Sequence, residues 1–224
     1  MMSQKLNQNM DQVYIHNIEV IQELSTNKGV IIAPNHVSYW DSCLYFVLSR
    51  KLSTRSFVFV AKETLERLPF LRWCGAVPIN IKSKRQAIQQ LLHAKTLNTV
   101  PTQFWIFPQG EHRPPHDLPL QFKKGVTVLA KQLQLPIVPV SIDYLYKDGE
   151  QPVAYVSFRT PLPHSCTVDE IEQEISLGLK DINGCHVGGV SPEFIPTYTR
   201  TQKSTDGIAT KILAWFAGTI LGKI

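Results

Sequence analysis

Six short apolar runs alternate along this chain with longer segments in which apolar residues recur at helical spacing. The runs are dense in β-branched and aromatic residues, as in strands that are covered on both faces. They are GVIIAP (29–34), SFVFVA (56–61), AVPINI (76–81), TQFWIF (102–107), LPIVPVSI (135–142) and PVAYVSF (152–158). The helical patterns lie at about 41–51, 63–72, 84–96, 123–133 and 167–180. This alternation predicts a single α/β domain whose central mixed, largely parallel sheet is flanked by helices.

Two terminal segments flank the predicted sheet. We expect a helical segment over 1–28, the α/β domain over 29–183, and an irregular tail over 184–224 that ends in an apolar helix. Lys211 and Lys223 interrupt that last apolar stretch, so it falls short of the about 20 apolar residues that span a bilayer. Its apolar face either lies on a membrane or packs on the protein's own sheet. With no apolar signal segment at the amino terminus, we expect a cytoplasmic protein that is peripherally associated with the cytoplasmic face of a membrane.

The net charge indicates the kind of partner, and the spacing of the cysteines indicates the state of the thiols. The net charge of +5 indicates attraction to anionic partners such as membranes, acyl carriers or nucleotide phosphates. Nucleic acid is not expected, because the basic residues Lys82, Lys84 and Arg85 have no aromatic residues among them. The four cysteines form no C-x-x-C pair, which indicates reduced thiols. No metal and no cofactor are predicted.

The stretch NHVSYWD, directly after the first predicted strand, carries the first candidate site. In open α/β sheets, ligands sit at the carboxyl ends of the strands, and His36 lies at such an end. We expect Ser38 to cap the following helix and Asp41 to be the acid of a capping box. Asp41 then reaches back to His36 and orients its imidazole, leaving the other ring nitrogen to take a proton. The alternative is that Asp41 only caps the helix.

The segment IFPQGEHRP, after the fourth strand, carries the second candidate site. Gly110 allows backbone amides to approach a ligand, while Arg113 and Lys123 of the following FKKG segment suit a phosphate. His112 and His116 are expected to be exposed loop histidines, because no carboxylate stands at metal-binding spacing. Taken alone, this segment is also compatible with a solvated turn.

Taken together, these stretches resemble the PlsC-type glycerolipid acyltransferase family, also known as the H-x4-D acyltransferases. NHVSYWD resembles its N-H-x4-D block, AKETL (61–65) its A-K-x-E-L segment, GAVPINI (75–81) its second block, FPQGEHRP (107–114) its F-P-E-G-T-R-S block, and LPIVPVSI its last block. FKKG follows the third block at the usual interval. The resemblance covers roughly 29–145, and it implies the three-layer fold of that family.

The second and third blocks depart from the family pattern. Ile81 stands where the second block has an arginine. In the third block, Gln109 replaces the glutamate, Glu111 the threonine and His112 the arginine, with Arg113 one place later. The family uses these positions to bind the acceptor. The departures therefore bear on which acceptor is bound and not on the acyl-transfer chemistry.

The resemblance implies an O-acyltransferase of the 1-acylglycerol-3-phosphate type. Its catalytic residues would be His36 as general base on the acceptor hydroxyl and Asp41 as its orienting partner. The expected substrate-binding residues are Gln109, Gly110, Glu111, Arg113 and Lys123. The acyl donor would be a thioester of CoA or of an acyl carrier protein, and the acceptor a lysophospholipid at a membrane surface. No G-x-S-x-G motif is present, which agrees with one-step base catalysis.

Two alternatives stay open on the sequence. The first is the same chemistry on an acceptor without phosphate, such as a glycolipid, a lipid amine or a carotenoid-type alcohol. The second is a lipid-binding relative without catalytic activity, which thioester turnover with a panel of acceptors would distinguish.

Overall fold

The structure is a computed structural model that describes residues 9–52, 54–146 and 151–199. In this part of the chain, eight strands form one sheet in the order β4-β3-β5-β2-β6-β7-β1-β8. The strands are β1 (Gln12–His16), β2 (Val30–Pro34), β3 (Arg55–Ala61), β4 (Ala76–Ile79), β5 (Thr102–Trp105), β6 (Ile137–Tyr146), β7 (Pro152–Phe158) and β8 (Ile195–Thr199). The described helices are α1 (Glu19–Asn27), α2 (Trp40–Lys51), α3 (Lys62–Arg67), α4 (Lys84–Leu97), α5 (Gly125–Leu133) and α6 (Val168–Gly188), with a 3-10 helix at Pro69–Cys74.

The sheet is mixed and largely parallel, as the sequence predicts. Strands β4, β3, β5, β2 and β6 are parallel to one another. Strand β7 is antiparallel to β6, β1 is parallel to β7, and β8 is antiparallel to β1. The carboxyl ends of β2 and β5, which are neighbours, therefore lie at the same edge of the sheet.

Helices cover both faces of the sheet and make it the middle of three layers. Strand β2 is buried over its whole length because it contributes to both apolar clusters. Val30 and Ile32 face a cluster that contains residues of α1, α2 and α3. Ile31 and Ala33 face a second cluster formed with α4, α5 and α6. This period of two explains why the run GVIIAP is apolar at every position.

The ends of the domain differ from the expected division. Residues 12–16, expected to be helical, form strand β1, in which Val13 and Ile15 are buried while the alternate positions are half-buried. Such alternation is the pattern of a strand with one covered face, and it is too short to be distinguished from part of a helix by periodicity. Helix α6 continues through the expected boundary at 184 as far as Gly188, and β8 then joins the sheet.

The predicted helix over 63–72 is divided into two short helices. Helix α3 ends at Arg67, and the 3-10 helix begins at Pro69. Leu68 has φ −126° and ψ 69°, outside the helical region, because a residue before proline is pushed out of it.

In the described residues, no helix combines the length and the apolar character needed to cross a membrane. The apolar helix expected within 208–224 lies outside the described part of the chain.

Candidate active site

The residue Asn35 fixes the backbone at the point where β2 ends. Its side-chain Nδ2 donates to the carbonyl oxygen of Ile142 at 2.9 Å, and its Oδ1 accepts from the Ile142 amide at 2.7 Å. The buried Asn35 side chain thus continues the pairing of β2 with β6 for one more step. The next residue, His36, is held at the carboxyl edge of the sheet.

The side chains of His36 and Asp41 are in direct contact, as the sequence predicts. The distance between His36 Nδ1 and Asp41 Oδ2 is 2.7 Å. The Asp41 side chain is fully buried, whereas that of His36 is 23% exposed. A buried carboxylate therefore lies behind an imidazole that reaches solvent.

Asp41 accepts hydrogen bonds from four donors. Besides His36, the amides of Val37 and Ser38 donate to Oδ2 at 2.8 and 3.0 Å. The hydroxyl of Tyr144 donates to Oδ1 at 2.6 Å. Because this carboxylate is surrounded by donors, its orientation is fixed and its charge is compensated although it is buried.

The cap position of helix α2 differs from the expected one, which was Ser38. The helix begins at Trp40, and the cap position belongs to Tyr39, whose φ of −52° and ψ of −30° are already helical. The Ser38 hydroxyl accepts from the Trp40 amide at 3.2 Å instead of from the Asp41 amide. Asp41 does reach back to the Ser38 amide, so half of the expected capping box is present.

The contacts of Asp41 determine which nitrogen of His36 carries the proton. Since Oδ2 also accepts from two amides, the His36 Nδ1–H is the donor to it. The lone pair is then on Nε2, the nitrogen that does not face Asp41. An imidazole in this tautomer, supported by a carboxylate, is suited to remove a proton from a substrate hydroxyl.

The second loop holds the backbone of His36 from both sides. The Oε1 of Gln109 accepts from the His36 amide at 2.5 Å, and the Arg113 amide donates to the His36 carbonyl oxygen at 2.8 Å. Gln109 is 2% exposed, and its Nε2 has no hydrogen-bond partner within the described residues. Reversing the amide would place this NH₂ against the His36 N–H, so the orientation is fixed. Gln109 therefore positions the candidate base.

Two rings flank the imidazole of His36. The centroid of Phe107 lies 4.5 Å away, and that of His112 lies 4.1 Å away with its ring edge-on. Partial burial and, next, the proximity of His36 lower the pKa of His112. His112 is thus favoured in its neutral form, unlike the arginine that the family block has at this position. The sequence-based expectation of an exposed loop histidine is confirmed for this residue, and the contact of its ring with His36 was not predicted.

The remaining predicted binding residues cluster around the same loop. Gly110 adopts a φ of +71°, and Lys123 Nζ lies so close that a Cβ at this position would be 2.9 Å from it. Glu111 Oε1 accepts from Arg113 Nη2 at 2.6 Å and from Arg113 Nε at 3.0 Å. The Arg113 guanidinium holds the pKa of Glu111 below its usual range. The loop therefore presents two cations to a ligand. Arg113 is paired with Glu111, and Lys123 is the second cation.

The second block lies away from this cluster. Strand β4 is three strands from β2, which corresponds to about 14 Å at the usual spacing. Ile81 is 49% exposed, and the neighbouring Lys82 is paired with Glu63 at 2.9 Å. Within the described residues, Lys82 is thus engaged by a carboxylate of α3.

Tyr144 is a component of the site that sequence reasoning did not find. Strand β6 continues past Val140, the partner of Pro34, and so carries Tyr144 to Asp41. Burial and the neighbouring Asp41 carboxylate raise the pKa of Tyr144 well above its usual range, which keeps the hydroxyl protonated as a donor. The only sequence signal is that LPIVPVSI is followed by DYLY, in which alternate residues face the same side of the sheet.

Replacing Tyr144 with phenylalanine tests its role in positioning Asp41. We expect kcat to fall about tenfold, because a hydrogen bond to a charged group is worth about 1.5–3 kcal/mol. The KM values for the expected acyl thioester and acceptor should stay unchanged. The matched control is Tyr146→Phe on the same strand, where the side chain is exposed. Equal kinetics for the wild type and Tyr144→Phe would show that this hydroxyl only fills space.

Comparisons with known proteins identify a family and several relatives. The sequence profile of the family described as Acyltransferase matches residues 12–143. Acl-1 of Caenorhabditis elegans, provisionally named a 1-acyl-sn-glycerol-3-phosphate acyltransferase, is 33% identical over 148 residues, which are 61% of this chain and 52% of that protein. The 1-acyl-sn-glycerol-3-phosphate acyltransferase of Saccharomyces cerevisiae is 34% identical over 127 residues, which are 54% of this chain and 41% of that protein. The chain thus spans about half the length of these relatives.

A solved structure shares the architecture. The crystal structure of the 1-acyl-sn-glycerophosphate acyltransferase PlsC from Thermotoga maritima matches with a TM-score of 0.60 and 18% identity, over 81% of this chain and 76% of that one. A three-layer α/β fold with an N-H-x4-D block after a central strand defines the class of H-x4-D acyltransferases. The chain belongs to this acyltransferase family, since the family profile covers more than half of it.

Proposed function

We propose that this protein transfers a fatty acyl group from an acyl thioester to the hydroxyl of a 1-acylglycerol-3-phosphate-type lipid. The thioester would be carried by CoA or by an acyl carrier protein. The observation that carries the proposal is the 2.7 Å contact between His36 Nδ1 and the buried Asp41 Oδ2. The family supports acyl transfer, and the names of the relatives support the type of acceptor.

The proposed reaction has one base and no covalent enzyme intermediate. Nε2 of His36 removes the proton of the acceptor hydroxyl while the hydroxyl oxygen attacks the thioester carbonyl. The new C–O bond forms, the C–S bond breaks, and the departing sulfur takes the proton from the imidazolium. Asp41 stabilises that imidazolium from behind, so its charge acts where positive charge develops.

The loop after β5 is proposed to bind the head group of the acceptor. Arg113 and Lys123 supply positive charge on the loop that holds the backbone of His36, which suits a phosphate. Glu111 opposes them, because its carboxylate already occupies the Arg113 guanidinium at 2.6 Å. This pairing, together with Ile81, favours a second candidate, in which the acceptor is a lipid alcohol without phosphate, such as a glycolipid.

Paired substitutions in the loop test how it binds the acceptor. Arg113→Ala is expected to raise the KM of a phosphate-bearing acceptor about tenfold and to leave the thioester KM unchanged, because it removes a charge-assisted contact. Glu111→Gln is expected to lower the same KM about threefold, an effect that high salt would reduce. If Arg113→Ala raised both KM values equally, Arg113 would only brace the loop.

An acceptor panel separates the two candidates. Purified protein is assayed with one acyl-CoA and three acceptors of equal chain length, namely a 1-acylglycerol-3-phosphate, a monoacylglycerol and a lysoglycolipid. The proposal requires the highest kcat/KM for the phosphate-bearing acceptor. A preference for either uncharged acceptor would favour the second candidate, and no turnover with any acceptor or thioester would favour a lipid-binding relative.

We also propose that the protein works at the cytoplasmic face of a membrane, where its acceptor lipids lie. The net charge of +5 supports contact with anionic lipid head groups. The His36 side chain is partly exposed at the edge of the sheet, where a lipid hydroxyl could enter from the surface.

A further inference from the structure

The candidate active site also has the chemistry of a metal site. His36, Asp41 and His112 each offer one ligand atom, and the three atoms lie within 4.8 Å of one another. Imidazole nitrogens are the protein ligands that Zn²⁺, Cu²⁺ and Ni²⁺ prefer among neutral side chains. The loops after β2 and β5 bring the two histidines together, at a ring-centroid distance of 4.1 Å.

The three ligand atoms lie within 4.8 Å of one another, and a bound ion draws its ligand atoms closer than that. A Zn–N bond of about 2.0–2.1 Å in a tetrahedral shell places neighbouring ligand atoms about 3.3 Å apart. His112 is exposed and lies on a loop, so a rotation of its side chain can close the remaining gap. His36 does not need to move, because its backbone and its Nδ1 are already held.

Asp41 is better suited to support the site than to ligate the ion. Its Oδ2 accepts from the His36 Nδ1–H and from two backbone amides. A metal-ligating histidine commonly donates its other N–H to a carboxylate in this way, which fixes the tautomer and raises the basicity of the ligating nitrogen. The free lone pair of His36 is then on Nε2, the nitrogen that a metal would take.

We propose that His36 Nε2 and His112 bind a divalent transition-metal ion such as Zn²⁺, with solvent completing the shell, and that the bound ion switches off the enzyme. Inhibition rests on the proposed function: the lone pair that coordinates the ion is the one that must accept the proton of the acceptor hydroxyl. Metal and acceptor therefore compete. The family block has an arginine at the position of His112, and a guanidinium cannot ligate the ion, so this property belongs to the residue that departs from the pattern.

Binding is tested first, without reference to activity. Zn²⁺ and Mg²⁺ are titrated by calorimetry into the wild-type protein and into His112→Ala, His36→Ala and the control His93→Ala, in which the replaced histidine is exposed on α4. Co²⁺ absorption reports the ligand set, because thiolate ligands give a charge-transfer band that histidines do not. Thermal unfolding of each variant shows that it is folded.

The expected result is one Zn²⁺ per chain, weakened at least tenfold in His112→Ala and in His36→Ala and unchanged in His93→Ala. Mg²⁺ is expected not to bind, because it prefers oxygen ligands. Equal Zn²⁺ affinity in the wild type and His112→Ala, or a thiolate band with Co²⁺, would overturn the site.

Inhibition is tested next, in a separate measurement. Zn²⁺ should raise the acceptor KM without changing kcat, EDTA should restore the activity, and His112→Ala should raise the inhibitory concentration at least tenfold. Stimulation by Zn²⁺, or inhibition that His112→Ala leaves unchanged, would contradict the switch. If the metal-free protein has no transferase activity with any acceptor, the proposed function fails, whereas the calorimetric result still decides whether the metal site exists.

Discussion

Replacing His36 with alanine is expected to lower kcat/KM for acyl transfer by about three orders of magnitude while the protein stays folded. A positioned general base contributes about 10²–10⁴ to the rate. Folding should be preserved because the contacts from Gln109 and Arg113 involve the backbone of His36, which alanine retains. The measurement is steady-state kinetics, with thermal unfolding of the same samples.

The matched control for this variant is His116→Ala. His116 lies on the loop after β5, and its side chain is 62% exposed at 3.5 Å from Asp143. We expect its kcat/KM to stay within about twofold of the wild type, as for a surface substitution away from the reacting atoms. Near-normal turnover in His36→Ala would remove the general base from the mechanism.

Replacing Asp41 with asparagine is expected to lower kcat by about 10²–10⁴, the range that general-base catalysis itself supplies. The substitution removes the charge that stabilises the imidazolium. It also places an NH₂ group among four donors, so that at least one of them loses its acceptor. We expect the free energy of unfolding to fall by about 3 kcal/mol, because buried donors are left unsatisfied.

Activity and stability must be separated for Asp41→Asn, so kinetics are measured well below its unfolding temperature. The control is Ser38→Ala, which removes only the hydroxyl that accepts from the Trp40 amide at 3.2 Å. Its stability should fall by about 1 kcal/mol with kcat nearly unchanged. If Asp41→Asn lost stability and kept its kcat, Asp41 would be a structural cap and nothing more.

Local patterns were sufficient to predict the middle of this fold. Strand β2 is apolar at every position because both faces are covered, and a polar segment after such a strand marks the carboxyl edge of the sheet. The five-residue offset from His36 to Asp41 permitted the contact that the structure contains, since the intervening residues form the entry into α2. These features depend on residues close together in the sequence.

The features that sequence reasoning missed depend on distant pairings. Tyr144 reaches Asp41 because strand β6 extends beyond the end of its neighbour β2, and Asn35 pairs with Ile142 through its side chain. No local pattern states how far one strand extends beyond its neighbour. Strand β1 was missed for the same reason: its parallel pairing with β7 joins segments that are far apart in the chain.

Thiol release in the presence and absence of acceptor tests the central claim most directly. The full chain is mixed with a radiolabelled acyl-CoA, with or without 1-acylglycerol-3-phosphate, and free CoA and labelled diacyl product are measured together. If His36 activates the acceptor for direct transfer, CoA and diacyl product appear one to one, and only when acceptor is present. Stoichiometric release of CoA without acceptor, with the label retained on the protein, would contradict the account.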